Sequence, residues 1–294
     1  MRHSLRTPDD GARTSRPRWA TPTLLAAVVL LVPAAASTAT AHTAPAGATT
    51  SHRAQQGPKP TVVLVHGAFA DASSWSGVTR RLQRQGYTVV AAANPLRDLA
   101  GDASYISSVL DGITGPVVLV GHSYGGEVIT NAAVGHPNVK ALVYIAAFAP
   151  DQGESGLELT GRFPGSQLGA HLTVRPFPQA DGGTGAEATV DPAAFHTVFA
   201  ADVPAGTSAA MAAAQRPVAL AALTAPSGVP AWKTIPSWYL VAGSDQAIPS
   251  AAERFMARRA GANTMEVKDA SHVVMVSHPA RTADLIVRAA DATS

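Results

Sequence analysis

The sequence predicts an α/β fold: a mostly parallel central sheet covered by helices on both faces, with a cap inserted between two of its strands. Three observations predict it. Near-continuous Val/Leu/Ile strands alternate with segments of helical spacing along most of the chain. Those strands lack polar alternation, which is the signature of parallel strands buried on both faces. One long Pro- and Gly-rich stretch, from about 150 to 236, interrupts the alternation. Structureless loops of that length are rare in compact domains, and many that occur are lids.

The elements follow in order. Thr61 to His66 reads as the first strand. Ser74 to Gln85 reads as a helix, because Trp75, Val78 and Leu82 share one face, and Gly86 ends it. Tyr87 to Ala92 is a strand and Ser104 to Leu110 a helix. Gly115 to Val120 is a buried strand that runs into Gly121-His122-Ser123-Tyr124-Gly125-Gly126 and then a helix through Ala133. Val139 to Ala147 and Trp238 to Ala242 are strands, Glu253 to Arg259 a helix, Thr264 to Val267 a last strand and Pro279 to Ala290 the closing helix. Within the interruption, scattered helical patches are expected, one opening at Asp191 to His196 and another at Ser208 to Gln215.

The 294 residues carry a formal net charge of +2, 14% charged residues and 46% apolar residues, a globular composition. Arg2, Arg6, Arg13, Arg16 and Arg18 precede a short apolar run, Leu24 to Val32, then Pro33 and small residues through Ala39-Thr40-Ala41. This is the pattern of a secretory signal peptide over 1–41, cleaved after an A-x-A site on the general export route. The apolar run is shorter than the ~20 residues a membrane span needs. Residues 42–59 read as a disordered linker and 60–294 as one domain containing the cap. The expected destination is extracellular, with no stable membrane anchor after cleavage. Without the leader the charge is near −1, and no basic stripe remains to bind nucleic acid. There is no cysteine. That excludes a lipoprotein anchor, thiolate catalysis and Cys-type zinc sites; no metal or cofactor is expected.

A strand ending in G-x-S-x-G and turning at once into a helix is a nucleophile elbow. It lifts the Ser123 hydroxyl clear of the sheet at a helix N-terminus, which favours developing negative charge. A serine attacks only if a base takes its proton, and the base needs a carboxylate to orient it. In chain order Ser–acid–His, Asp245 follows a strand end and His272 follows the last strand. Asp151 is the rival acid and His278 the rival base; His122 reads as packing. The oxyanion hole is expected from the Tyr124 N–H and from the Ala68 N–H in the loop after the first strand, with Phe69 as the alternative. Phe69, His196 and Trp232 are candidate substrate contacts, with Lys233 beside them. Phe195, Phe199, Met211, Leu220 and Trp232 either line an apolar pocket or form the cap's own core.

These segments together (Val63 to Phe69, Gly121 to Gly126, Gly243-Ser244-Asp245 and Ser271-His272) resemble the α/β-hydrolase superfamily across the folded part of the chain. The HGA segment leading to Trp75 is similar to the branch of plant methyl esterases, hydroxynitrile lyases and related bacterial esterases. The resemblance implies an α/β-hydrolase fold and a serine carboxylesterase acting on a small-molecule ester, without a cofactor. Two positions depart from the lyases. Val273 stands where they carry a lysine beside the catalytic histidine, and Gly67 where they carry a threonine, which favours ester hydrolysis. Lactone hydrolysis, C–C hydrolysis or perhydrolysis on the same residues, or ligand binding without turnover, are the alternatives.

Overall fold

A computed structural model describes residues 58–293. The expected signal peptide, and the expected linker up to residue 57, lie outside the described residues. Lys59, at the end of the expected linker, bonds the Gln85 carbonyl and sits 4.6 Å from the Tyr87 ring.

Six strands form an all-parallel sheet: β1 (Thr61–Val65), β2 (Val89–Ala92), β3 (Val117–Ser123), β4 (Val139–Ala147), β8 (Ser237–Ala242) and β9 (Asn263–Val267), in the order β2-β1-β3-β4-β8-β9. Val62 to Val65, Val117 to Val120 and Ala141 to Ala147 are buried at successive positions. A strand is buried this way only when both faces are covered. Helix α3 (Tyr124–Ala132) lies against β1, β3 and β4 with α2 (Leu99–Asp111) packed on it, and α10 (Pro279–Ala292) lies against β3, β4 and β8 with α1 (Ser76–Arg84) packed on it. Each large aliphatic side chain so buried contributes about 1.5–3 kcal/mol. The strand order reverses between β1 and β3. In open α/β sheets the crevice beyond the strand ends at that switch point is where ligands bind.

The expected elements all form, some with different bounds. Helix α2 starts at Leu99, five residues earlier than expected, because the Asp98 carboxylate accepts the Gly101 N–H at 2.7 Å and caps it. Helix α8 (Ser250–Arg259) likewise starts earlier, directly after Pro249.

The segment between β4 and β8 is not a run of helical patches alone. It holds α4 (Gly156–Gly161), β5 (Leu172–Pro178), β6 (Thr184–Val190), α5 (Pro192–Phe199), α6 (Ala205–Ala213), β7 (Val218–Ala219) and α7 (Leu220–Thr224). Strands β5, β6 and β7 form a small antiparallel sheet that the sequence reading did not anticipate. Polar links tie this cap to the core. Glu187 of β6 takes Arg97 of the core at 2.7 Å and, within the cap, Arg175 of β5 at 2.9 Å, and Arg216 donates to the Asn94 carbonyl at 3.1 Å.

Candidate active site

Ser123 is the last residue of β3 and has φ 53° and ψ −126°, a conformation L-residues avoid. The neighbouring glycines make room for it. A Cβ on Gly121 would run into the Gly125 carbonyl, and one on Gly125 would lie 2.5 Å from the Val65 carbonyl oxygen. The elbow is therefore pressed against the end of β1. Tyr124 opens α3, where the N–H has no intrahelical acceptor. Its side chain turns away into the core and donates to Asp102 Oδ2 at 2.8 Å.

Asp245 follows β8, and His272 lies in the loop after β9. Gly243 lets those two loops meet, since a Cβ there would strike the Lys268 backbone. Asp245 Oδ1 accepts the N–H groups of Ala247 at 2.6 Å and Ile248 at 2.9 Å, which orients the carboxylate. Its Oδ2 accepts Nδ1–H of His272 at 2.6 Å, with both side chains buried. With its proton on Nδ1, the imidazole presents an acceptor lone pair at Nε2. Among the described residues no hydrogen bond reaches that buried Nε2. His272 and Ser123 line the same cavity.

Two other histidines build the frame. His122, one residue before the serine, donates from Nε2 to the His272 carbonyl at 3.0 Å, its ring 4.8 Å from the His272 ring. Burial, and then the neighbouring His272, push its pKa well below the ordinary value, so it is neutral. His66 ends the β1 segment. Its Nδ1–H donates to the Gly67 carbonyl at 2.9 Å, and its Nε2 accepts the Asn94 N–H at 3.0 Å. Burial lowers its pKa to about 4. The Asn94 side chain returns a bond to the His66 carbonyl at 3.0 Å. This clamp shapes the following loop, where Phe69 has φ 60°. A Cβ on Gly67 would lie 2.6 Å from Ser123 Cβ, so glycine lets this loop close on the serine. Among the described residues, neither the Ala68 nor the Phe69 N–H has a hydrogen-bond acceptor.

The shared cavity has a volume of about 380 Å³. Ala68, Phe69, Ser123, Tyr124 and His272 border it on the core side; Leu157, Phe163, Leu168 and Leu223 border it from the cap. Among the described residues, no Asp, Glu, Lys or Arg side chain lines it. Among the sequence candidates, His196 and Trp232 do not line it. His196 is exposed on α5, its Nε2 3.1 Å from the Val203 carbonyl. Trp232 donates Nε1–H to the Pro150 carbonyl at 2.9 Å. Lys233 pairs with Asp151 at 2.5 Å, and His278 sits 3.4 Å from Asp202. Phe195 and Phe199 are cap-core residues, 5.0 Å apart ring to ring.

Glu253 of α8 went unnoticed in the sequence. It is fully buried and accepts the Ala242 N–H at 3.0 Å. Burial first, and then the charge of Asp245, raise its pKa well above the carboxylate range. A signal existed: Glu253 falls on the same helical face as Met256 and Ala257, both buried. The bonds made by His122 and Asn94 left no signal, because both depend on segments distant in the chain.

The comparisons agree with this architecture. A family model described as "Alpha/beta hydrolase family" matches residues 62–285. The pyrethroid hydrolase of Sphingobium wenxiniae is 29% identical over 253 residues, covering 79% of this chain and 88% of that protein. The carbendazim-hydrolysing esterase of a Nocardioides species is 34% identical over 110 residues, which cover 33% of this chain and 46% of that protein. The structure of polyneuridine aldehyde esterase superposes with a TM-score of 0.69 at 19% identity, over 79% of this chain and 99% of that one. The chain belongs to the alpha/beta hydrolase family.

Proposed function

We propose that this member of the alpha/beta hydrolase family is an exported serine carboxylesterase, with Ser123 as nucleophile, His272 as general base and Asp245 as the acid that orients it. The observation that carries the reading is the 2.6 Å bond from His272 Nδ1–H to Asp245, which leaves Nε2 as an acceptor in the cavity that Ser123 lines. In the attack step Nε2 takes the Ser123 proton as Oγ bonds the ester carbonyl carbon. Negative charge moves to the carbonyl oxygen, which the N–H groups of Tyr124 and of Ala68 or Phe69 receive. Such a donor is worth about 3–4 kcal/mol. His272 then protonates the leaving alcohol, and the acyl group stays on Ser123. A water gives its proton to His272 and hydrolyses the acyl-enzyme by the same steps in reverse.

The uncharged apolar lining supports small or medium hydrophobic esters, because burying an unpaired charge there is costly. Relatives named as esterases and as a pyrethroid hydrolase support ester cleavage. Export is supported by the basic and apolar pattern of residues 1–41, and N-terminal sequencing of the secreted protein is expected to start at His42; a secreted chain that starts at Met1 sinks it. The catalytic reading is tested with a panel of p-nitrophenyl esters of increasing acyl length, alongside esters carrying a carboxylate or an ammonium. Turnover of the neutral esters is expected, at least about 10²-fold above the charged ones, together with its loss in Ser123→Ala. Wild-type turnover by Ser123→Ala overturns it.

A further inference from the structure

The cap reaches the base through one short segment. Helix α5 ends at Phe199, whose ring lies 4.8 Å from the His272 imidazole and 5.9 Å from the Phe69 ring, centroid to centroid. Three residues later comes Asp202. Its Oδ1 accepts the hydroxyl of Ser271, the buried residue immediately before His272. Its Oδ2 is buried without a hydrogen bond, 3.4 Å from Nδ1 of His278. Asp202 thus meets the loop at both ends, before the base and at the mouth of α10. Neither Phe199 nor Asp202 lines the cavity.

The core holds His272 from the other side. Asp245 grips Nδ1, and His122 grips the carbonyl. A ring tethered at one nitrogen can still tilt about that bond, and a loop tethered at one carbonyl can still shift. A ring face packed on one side and a charge-assisted bond to the preceding hydroxyl remove those freedoms. Misplacing a catalytic group by about 1 Å costs ~10²-fold in rate.

Resting on the Ser123–His272–Asp245 reading, we infer that Asp202 and Phe199 are cap-borne positioning residues for the base, so that docking of the cap and readiness of His272 are a single event. The cap then does more than enclose substrate. A molecule whose segment 199–202 lifts from the core keeps its triad residues but loses the alignment that lets Nε2 take the Ser123 proton.

The test compares Asp202→Ala, Asp202→Asn, Ser271→Ala and the double variant Asp202→Ala/Ser271→Ala in the full-length protein. The readouts are kcat, KM, the rate of fluorophosphonate labelling of Ser123, and the melting temperature. Asp202→Ala and Ser271→Ala should each lower kcat and the labelling rate about 10- to 100-fold, with KM within about twofold of wild type. The double variant should fall no further than Asp202→Ala, because that single variant already removes the bond Ser271 makes. Asp202→Asn keeps an acceptor oxygen and should recover most of the rate. The inference is overturned by a folded Asp202→Ala with wild-type kcat, by losses that multiply in the double variant, or by a rise in KM at constant kcat. If Asp202→Ala does not fold, wild-type kcat in Ser271→Ala overturns it alone. Ser123→Ala runs in parallel: activity there defeats the triad reading itself, whereas a dead Ser123→Ala beside an unaffected Ser271→Ala defeats only the role of the cap.

Discussion

At the scale of single residues, the proposed mechanism makes the Ser123 hydroxyl depend on which nitrogen of His272 carries the proton. Asp245 keeps that proton on Nδ1 by accepting Nδ1–H at 2.6 Å, while two backbone N–H groups hold the carboxylate in place. Asp245→Asn preserves the shape but can present its NH₂ to Nδ1, which favours the tautomer with the proton on Nε2. It is expected to lower kcat by about 10⁴-fold with the fold intact; a loss of less than tenfold would contradict the role. Glu127 makes a different prediction. It is fully buried in α3, one turn from Ser123, and burial raises its pKa well above the ordinary range. A carboxyl whose folded pKa is raised contributes stability that is complete below its unfolded value, about 4.3, and is lost as pH rises through the folded value. Glu127→Gln should therefore match wild type in melting temperature near pH 4 and exceed it progressively toward pH 9. A constant gap across that range would contradict the assignment. Motif context and chain order foreshadowed the placement of Asp245 against His272 and of Ser123 in the same cavity. Glu127 was not legible, because nothing local marks that glutamate as buried; Glu253 carried only the hint of sharing a helical face with Met256 and Ala257.

At the scale of elements, the central strands β1, β3, β4 and β8 were legible because each is an apolar run that is almost wholly buried. The cap sheet was not. Strand β5 is mostly exposed and carries Pro176 and Pro178, so it has neither an apolar run nor a clean alternation. Its pairing with β6 is antiparallel over seven residue pairs, a long-range property of two weakly patterned segments. The loop after β1 offers a sharper test of element function. Phe69 borders the triad cavity of about 380 Å³ and also a second cleft of about 450 Å³ between α1 and α6, where Arg80 and Met211 are neighbours. Phe69→Ala removes the shared wall and leaves the backbone N–H in place. It should shift the kcat/KM ratio of long-chain to short-chain esters about tenfold toward the long chain, the order of selectivity that a change in pocket fit commands. An unchanged ratio would show that the ring does not bound the acyl group.

At the scale of the molecule, the site forms because several parts of the chain meet beyond the β1/β3 switch point: the elbow, the loop after β1, the ends of β8 and β9, and the cap. Chain order foretold the first four. The cap's contacts with His272 depend on how α5 docks, which no periodicity encodes. In the proposed function, fold and triad belong to one claim: the sheet brings Ser123, Asp245 and His272 together so that an acyl group passes through the serine. The most direct measurement is mass spectrometry of a reaction quenched in acid during turnover of a neutral p-nitrophenyl ester. The account predicts one acyl adduct per chain, on the peptide containing Ser123, absent from Ser123→Ala and appearing far more slowly in His272→Ala. An adduct on another residue, or steady ester turnover with no burst and with Ser123 replaced, would contradict it.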